Sequence, residues 1–412
     1  MRIVVVPQPA SLTTTIMVLV EAGSKYETKE VNGISHFLEH MCFKGTQKRL
    51  RPADIAWELD GLGAEYNAFT SQELTSYFAK VRNDAFEKIL EIIADLYVNP
   101  RFDEKEIEKE KGVIVEEINM YEDLPPRKVQ ELFMELVYGD QPAGWSIAGT
   151  KDVVRSMNRD RFVQYRGEHY VPQATTVVVS GGVQNPERMV KLIEKYFGDL
   201  AAGEKSQKTK VEEKQEKPEE LIHFKESDQT HLVLGFRAFD AFDDRRFALE
   251  LLADILGGSM GSRLFQKIRE ELGAAYYVNA STDLYSDHGL IAMSAGVDHR
   301  KIRDVITAGL EEFLRFRNEP VKKEELDRAK EHKIGSLFLS LETSDQMGFF
   351  FGSQEALHMK METPQQMAER LRAVSSEDIQ KVAKELFTDS RLNLAVIGPF
   401  RDTSFSDIVK AK

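Results

Sequence analysis

The amino-acid sequence predicts an α+β fold made of two homologous halves, each a mainly antiparallel sheet with helices on one face. Three observations carry that expectation. The chain has 412 residues, more than one ordinary core accommodates, so at least two domains are expected. A highly charged segment lies at its midpoint, and short sequence features recur on either side of it in the same order.

Taken in order, Met1–Pro7 is a short apolar run broken by proline. It reads as a strand, because a secretory signal needs a longer apolar region and a small-residue cleavage site. Thr13–Glu21 (TTTIMVLVE) is a strand before a helix, and Thr230–Phe236 (THLVLGF) is its counterpart. Leu62–Tyr66 (LGAEY) matches Leu272–Tyr276 (LGAAY), and alternating strand-like segments follow each. Glu73–Val81 (ELTSYFAKV) alternates as a strand and leads into a helical Asp84–Tyr97. Phe102–Glu117 pairs with Val321–Ser336 in its acidic start and helical period. Arg159–Gly181 and Ser376–Gly398 both run helix, break, apolar strand and glycine, ending TTVVVSG and LNLAVIG. Helices that cluster rather than alternate strictly with strands argue for α+β halves.

Between the halves, Glu204–Glu220 (EKSQKTKVEEKQEKPEE) has 11 charged residues in 17, with Pro218 and a single hydrophobic residue, Val211. It cannot bury enough surface to offset its ordering entropy and reads as a solvated linker. The expected division is 1–203, a linker at 204–220, and 221–412.

Composition narrows the function. Hydrophobic residues at 42% and charged residues at 30% exclude wholesale disorder. With 55 Lys+Arg against 68 Asp+Glu, the formal charge of −13 argues against a nucleic-acid partner, which needs a basic stripe. Cys42 is the only cysteine, so no disulfide forms within the chain and no cysteine-rich metal site exists. In apolar company, it reads as an inert buried thiol. No run approaches 18 apolar residues, so no membrane span is expected and the cytoplasm is the simplest compartment. Gly257–Ser262 (GGSMGS) lacks the Lys-Ser/Thr of a phosphate-binding loop and reads as a helix connection.

The most informative residues are His36-Phe37-Leu38-Glu39-His40. On a helix, positions four apart share a face, so both imidazoles can point at one ion. Glu39 stands beside them, close enough to hold the ion's water. Ile34, Phe37, Leu38, Met41 and Phe43 make the segment too apolar for a solvated face. Zinc needs a third protein ligand and an open position. The later histidines (His223, His231, His288, His299, His332, His358) are scattered singly and read as surface or packing residues. A helix from about Asp103 to Tyr121 offers carboxylates instead. Ile107, Ile114, Ile118 and Tyr121 mark its core-facing stripe, and Glu110 and Glu117 fall on it, seven residues apart. Glutamates on a buried seam are costly unless paired or bound to metal. Two of them, two turns apart, suggest one ligand and one residue hydrogen-bonded behind a ligand.

H-x-x-E-H is the inverzincin signature. The run GISHFLEHMCFKGT (Gly33–Thr46), with Glu117 following 77 residues after His40 in EKGVIVEEI, closely resembles the pitrilysin/insulinase family of zinc peptidases. Nearly the whole chain resembles its short branch, that of the mitochondrial processing peptidase β-subunit and its bacterial counterparts. The visible departure is at the start, where residues that usually precede the first strand are missing. The resemblance implies two halves enclosing a chamber, with one zinc in the first half. It assigns His36, His40 and Glu117 as zinc ligands, Glu39 as the general base acting on a zinc-activated water, and Glu110 as the accompanying acid. In the second half, Glu250–Asp254 and Ser336 stand where the ligands would be, so one zinc per chain is expected.

The resemblance also implies that the second half lends Arg269 and Tyr276 to the active site, Tyr276 stabilising the oxyanion together with zinc. The residues alone read Arg269 as a solvated cation, and only the resemblance selects Tyr276 over Tyr277. Gly63–Tyr77 matches a family motif in which an edge strand receives substrate, with Asn67, Ala68 and Phe69 as its contacts; an ordinary hairpin is the other reading. The expected function is zinc-dependent endopeptidase action on peptides or unfolded segments, by a homodimer of four half-units. The rival is a catalytically silent or partner-dependent peptide-binding subunit of a heteromeric processing peptidase. Cobalt or manganese could occupy the same ligands.

Overall fold

The computed structural model describes residues 1–411. Their ten strands form two five-stranded sheets of identical topology. In the first, β1 (Arg2–Pro7), β2 (Thr13–Val20), β3 (Glu65–Thr70), β4 (Thr75–Arg82) and β5 (Thr175–Gly181) lie in the order β1-β5-β2-β4-β3. In the second, β6 (Glu219–Phe224), β7 (Thr230–Ala238), β8 (Ala275–Leu284), β9 (Gly289–Val297) and β10 (Leu392–Gly398) lie in the order β6-β10-β7-β9-β8. One outer pair in each sheet, β1–β5 and β6–β10, is parallel, and the other pairings are antiparallel. The repeated order of strands is the duplication that the sequence repeats predict.

The helices are α1 (Ile34–Cys42), α2 (Pro52–Gly61), α3 (Phe86–Val98), α4 (Glu104–Asp123), α5 (Pro125–Tyr138), α6 (Lys151–Ser156), α7 (Arg159–His169) and α8 (Pro186–Phe197). After them come α9 (Arg246–Gly257), α10 (Ile302–Asn318), α11 (Lys323–Leu339), α12 (Ser344–Ala356), α13 (Pro364–Ala373) and α14 (Ser376–Leu386). Two compact units contain these elements. One comprises Met1–Asn119, Trp145–Thr209 and Leu339–Glu362; the other comprises Met120–Gly144, Lys210–Phe338 and Thr363–Lys412. Each unit thus takes in a helix from the other half of the sequence.

Strand alternation explains where those helices go. In the first unit, Ile16, Val18 and Val20 of β2 pack against residues of α1, α3, α7 and α8, while Met17 and Leu19 face the other way, with Val178 and Ala356. Helix α12 covers that second face. Gly352 lets it come close, since a Cβ there would lie 2.7 Å from a Val178 methyl and 2.9 Å from one of Leu19. In the second unit, Leu232, Leu234 and Phe236 pack with α9, α10 and α14, and Val233, Ala395 and Ile397 meet Val129, Leu132 and Phe133 of α5. The helices native to each half gather on one face, as expected, and the exchanged helix fills the other.

The segment expected to be solvated is pinned. Residues 204–218 form no helix or strand. In the first unit, Lys205 pairs with Glu21 and Lys208 with Glu73, both glutamates being buried, and Thr209 donates to the Lys25 carbonyl at 3.3 Å. In the second, Val211 N–H donates to Asp287 at 3.1 Å, and Gln215 Oε1 accepts from Arg237 Nε at 2.9 Å. Buried acids need counter-charges, and the lysines of this segment add to those from Arg2, which pairs with Glu21, and Lys25, which pairs with Glu73. No helix among the described residues is long and apolar enough to cross a membrane.

Candidate metal centre

Helix α1 follows the first strand pair and is apolar on most of its circumference. Ile34, Phe37, Leu38, Met41 and Cys42 are all buried. Burial pushes the Cys42 thiol up to about 12, so it is inert. His36 and His40 share the remaining side, partly exposed. Helix α4 buries Ile107, Glu110, Ile114 and Ile118, the stripe that the sequence marks, with Glu117 half-buried beside it.

The two helices bring three donors together. His36 Nε2 lies 3.2 Å from His40 Nε2, and Glu117 Oε2 lies 3.6 Å from the first and 3.7 Å from the second. Among the described residues, this is the one group of three that could hold a metal ion. Zinc–ligand distances of about 2.0–2.1 Å in a tetrahedron place donors about 3.3–3.4 Å apart, so the triangle fits such an ion. The donor chemistry fits as well. His40 Nδ1 lies 2.9 Å from Glu110 Oε1, and an N–H donated there leaves the Nε2 lone pair facing His36 and Glu117. Lys44 Nζ holds the other Glu110 oxygen at 2.7 Å.

The electrostatics follow from burial and neighbours. Burial, with His40 adding to it, pushes the His36 imidazole down to about 4. Burial acts the same way on His40, but the Glu110 hydrogen bond and the nearby carboxylates outweigh it and raise its pKa above the ordinary value. Burial raises the Glu39 carboxyl, although Thr70 Oγ1 donates to its Oε2 at 2.6 Å. Burial acts upward on Glu110 too, yet His40 and Lys44 hold it below the usual range. Beside Glu39, His40 and Glu110 lies a hollow of about 360 Å³ whose apolar wall is Phe43, Pro52, Ile55, Ala56, Tyr66 and Ala68.

Asn67, Ala68 and Phe69 lie on β3, the edge strand of the first sheet. Asn67 Oδ1 accepts from the Ala68 N–H at 2.9 Å, and the Phe69 ring meets Phe349 edge-on at 5.6 Å. Arg269 and Tyr276 belong to the second unit. Arg269 is exposed in a π-helical stretch, Phe265–Glu271, with its guanidinium over the Phe265 ring at 4.9 Å. Tyr276 is 75% exposed and sits at a β-bulge, where the register of β8 on β9 shifts between Ala275 and Tyr277. Bulges re-aim side chains. Tyr277 is half-buried, its hydroxyl 3.0 Å from His231 Nδ1. Three contributors escaped the sequence reading. Lys44 lies within Gly33–Thr46 and Thr70 within Gly63–Tyr77, with nothing in either run to single them out. Glu27, a buried carboxylate before α1, carries no motif.

Residues 2–151 match the family described as Insulinase (Peptidase family M16), and residues 156–333 match the Peptidase M16 inactive domain. The "uncharacterized zinc protease YmxG" of Bacillus subtilis (strain 168) is 37% identical over 398 residues, 97% of this chain and 96% of that protein. A protein of Streptomyces coelicolor (strain ATCC BAA-471 / A3(2) / M145), also named an uncharacterized zinc protease, is 32% identical over 98% of this chain and 89% of its own length. The fold is similar to the crystal structure of a protease from Helicobacter pylori, with a TM-score of 0.89, 22% identity and 96% of each chain covered. A chain in complex III2 from Candida albicans gives a TM-score of 0.85 at 17% identity, over 98% of this chain and 95% of that one. With the duplicated sheets, the converging donors and these relatives together, the chain belongs to the insulinase family, peptidase family M16.

Proposed function

We propose that this chain is a zinc-dependent endopeptidase hydrolysing peptides or unfolded polypeptide segments. The observation that carries the reading is the triangle of His36, His40 and Glu117 donors at 3.2–3.7 Å, with the Glu39 carboxylate next to it on α1. Zinc held by those three residues would supply Lewis acidity, lowering the pKa of a water toward neutrality and polarising the scissile carbonyl.

The chain's own groups do the rest. Glu39 takes the proton of the attacking water and returns it to the leaving nitrogen. Thr70 fixes the Glu39 rotamer through Oε2, and Glu110 keeps the proton of His40 on Nδ1. The edge of β3 receives an extended substrate by backbone pairing along Asn67, Ala68 and Phe69, and the hollow beside it gives an apolar side chain a place. On the family resemblance, Arg269 and Tyr276 are lent to the reaction, the Tyr276 hydroxyl donating to the developing oxyanion. The reading includes one zinc per chain, a homodimer and a cytoplasmic setting.

The match of residues 156–333 to an inactive domain favours a second reading, a silent or partner-dependent peptide-binding subunit. Cleavage of a fluorogenic peptide by the purified chain, with zinc content measured in parallel, separates the two. Activity lost to chelator, and lost in Glu39→Gln with zinc retained, supports the peptidase. A zinc-loaded wild-type chain that cleaves nothing alone leaves the subunit reading.

A further inference from the structure

Helix α1 has only nine residues, so its first turn already carries His36 and has little length to steady it. The first N–H groups of any helix need acceptors from outside. The residue that would ordinarily supply one is Gly33, which has no side chain to cap with. It must be glycine: its φ is +95°, and a Cβ would lie 2.6 Å from the Ala148 carbonyl oxygen. The cap therefore comes from six residues earlier. Glu27 is buried, and its Oε2 accepts from the Gly33 N–H at 2.7 Å and from Asn32 Nδ2 at 2.9 Å, while Oε1 accepts from the Ser35 N–H at 2.8 Å. Asn32 Nδ2 also reaches the Ser146 carbonyl at 3.1 Å, tying the same corner to the loop before α6.

We propose that Glu27 is a positioning residue of the metal centre: by gripping both ends of the Gly33–Ser35 turn, its carboxylate fixes the rotation of α1 and so the direction in which His36 presents Nε2 to His40 and Glu117. This rests on the reading of those three as metal ligands. A negative group at a helix start is favourable in itself, but stability alone does not call for a buried acid reaching over six residues. The second unit serves as an internal comparison. Helix α9 occupies the same place after β7, and the acid at its start is Asp243, which accepts from the Arg245 N–H at 2.8 Å and pairs with the Arg245 guanidinium at the surface. No ligand set stands on α9, and its start is held by a short surface loop. The deep cap accompanies the helix that must aim a ligand.

The test uses the full chain with Glu27→Ala and Glu27→Gln, the second keeping length and one carbonyl acceptor. Zinc affinity is read by competition with a chromophoric chelator, well below each variant's Tm, alongside kcat, KM and Tm. Glu27→Ala should raise the zinc Kd about 10–100-fold, as changes behind a metal ligand do, and lower kcat with KM within about twofold. Glu27→Gln should fall between it and wild type. Ile193→Ala, a core truncation on α8, should lower Tm while leaving Kd and kcat alone. If both Glu27 variants lose Tm yet keep the wild-type Kd and kcat, Glu27 only stabilises the fold and the proposal is wrong, while the ligand reading stands. A wild-type chain that binds no zinc overturns both.

Discussion

Helices α1 and α4 of the first unit and α9 and α11 of the second follow equivalent strands in the same order, and each pair meets through residues four apart on its earlier helix. In the first unit, His36 and His40 meet Glu117, with 3.2–3.7 Å separating the three donors. In the second, Glu250 and Asp254 take the positions of the histidines, and each finds a base on α11. Lys333 Nζ lies 3.7 Å from Glu250, and His332 Nδ1 lies 2.9 Å from Asp254. One scaffold leaves its lone pairs converging and the other gives each acid its own basic partner. The backbone is therefore compatible with either, and a few side chains make the difference.

The largest expected effect breaks the first pair. Glu117→Ala leaves two histidines, too few for a structural or catalytic zinc site, so stoichiometric zinc and peptidase activity should both disappear after dialysis against a mild chelator. Ser336→Ala, at the matching place on α11, should change neither. Zinc retained in Glu117→Ala would put the third ligand elsewhere.

The next tests the proposal that Tyr276 takes part in the reaction. Tyr276 is exposed at a bulge, while the Tyr277 hydroxyl already meets His231. Tyr276→Phe should lower kcat roughly 100- to 1,000-fold, the effect of losing one oxyanion donor, with KM little changed. Tyr277→Phe should leave turnover near wild type. The reverse outcome would place the donor one residue along, and no effect from either would leave the oxyanion to groups of the first unit. A smaller effect is expected behind the ligands. Glu110→Ala removes the acceptor of His40 Nδ1 and should weaken zinc about 10–100-fold without abolishing it. A Kd unchanged by that variant would show that the orientation of His40 is set by packing alone.

What the sequence disclosed and what it hid divide along physical lines. The convergence of His36, His40 and Glu117 was legible because an i, i+4 pair of histidines on an otherwise apolar helix has few bland explanations, and Glu110 and Glu117 stood out as acids on a buried stripe. Strand alternation gave β2 and β7, and the repeat gave the shared topology. The exchange of α5 and α12 was not legible, because the apolar residues of α12 (SDQMGFFFGSQEA) do not say which sheet they cover. The anchoring of the charged segment was not legible, because the partners of its lysines, Glu21 and Glu73, lie more than a hundred residues away in sequence. The bulge at Tyr276 is a property of backbone register, and the Glu27 cap depends on a loop folding back on itself. Long-range pairing and local backbone geometry leave little periodic trace.

The smallest expected effect concerns the pair that holds no metal. Asp254 has only 10% of its side chain exposed, but its partner His332 has 42%, so the contact is partly screened by solvent and falls in the range of surface pairs. Asp254→Asn keeps the shape and removes the charge. It should lower the unfolding free energy by about 0.2–1 kcal/mol, a Tm change of roughly 0.4–4 °C for a unit of this size. Zinc content and turnover should stay at wild type. The informative measurement is the same melt with and without zinc. If the two helix pairs are independent, the cost of Asp254→Asn is the same in both, as expected for sites with no shared partners. Glu110→Ala should behave differently, because the stabilisation that zinc gives the folded chain grows with the logarithm of its affinity, and the variant's deficit should grow when zinc is present. A zinc-dependent cost for Asp254→Asn would mean that Asp254 and His332 are energetically coupled to the His36, His40 and Glu117 group.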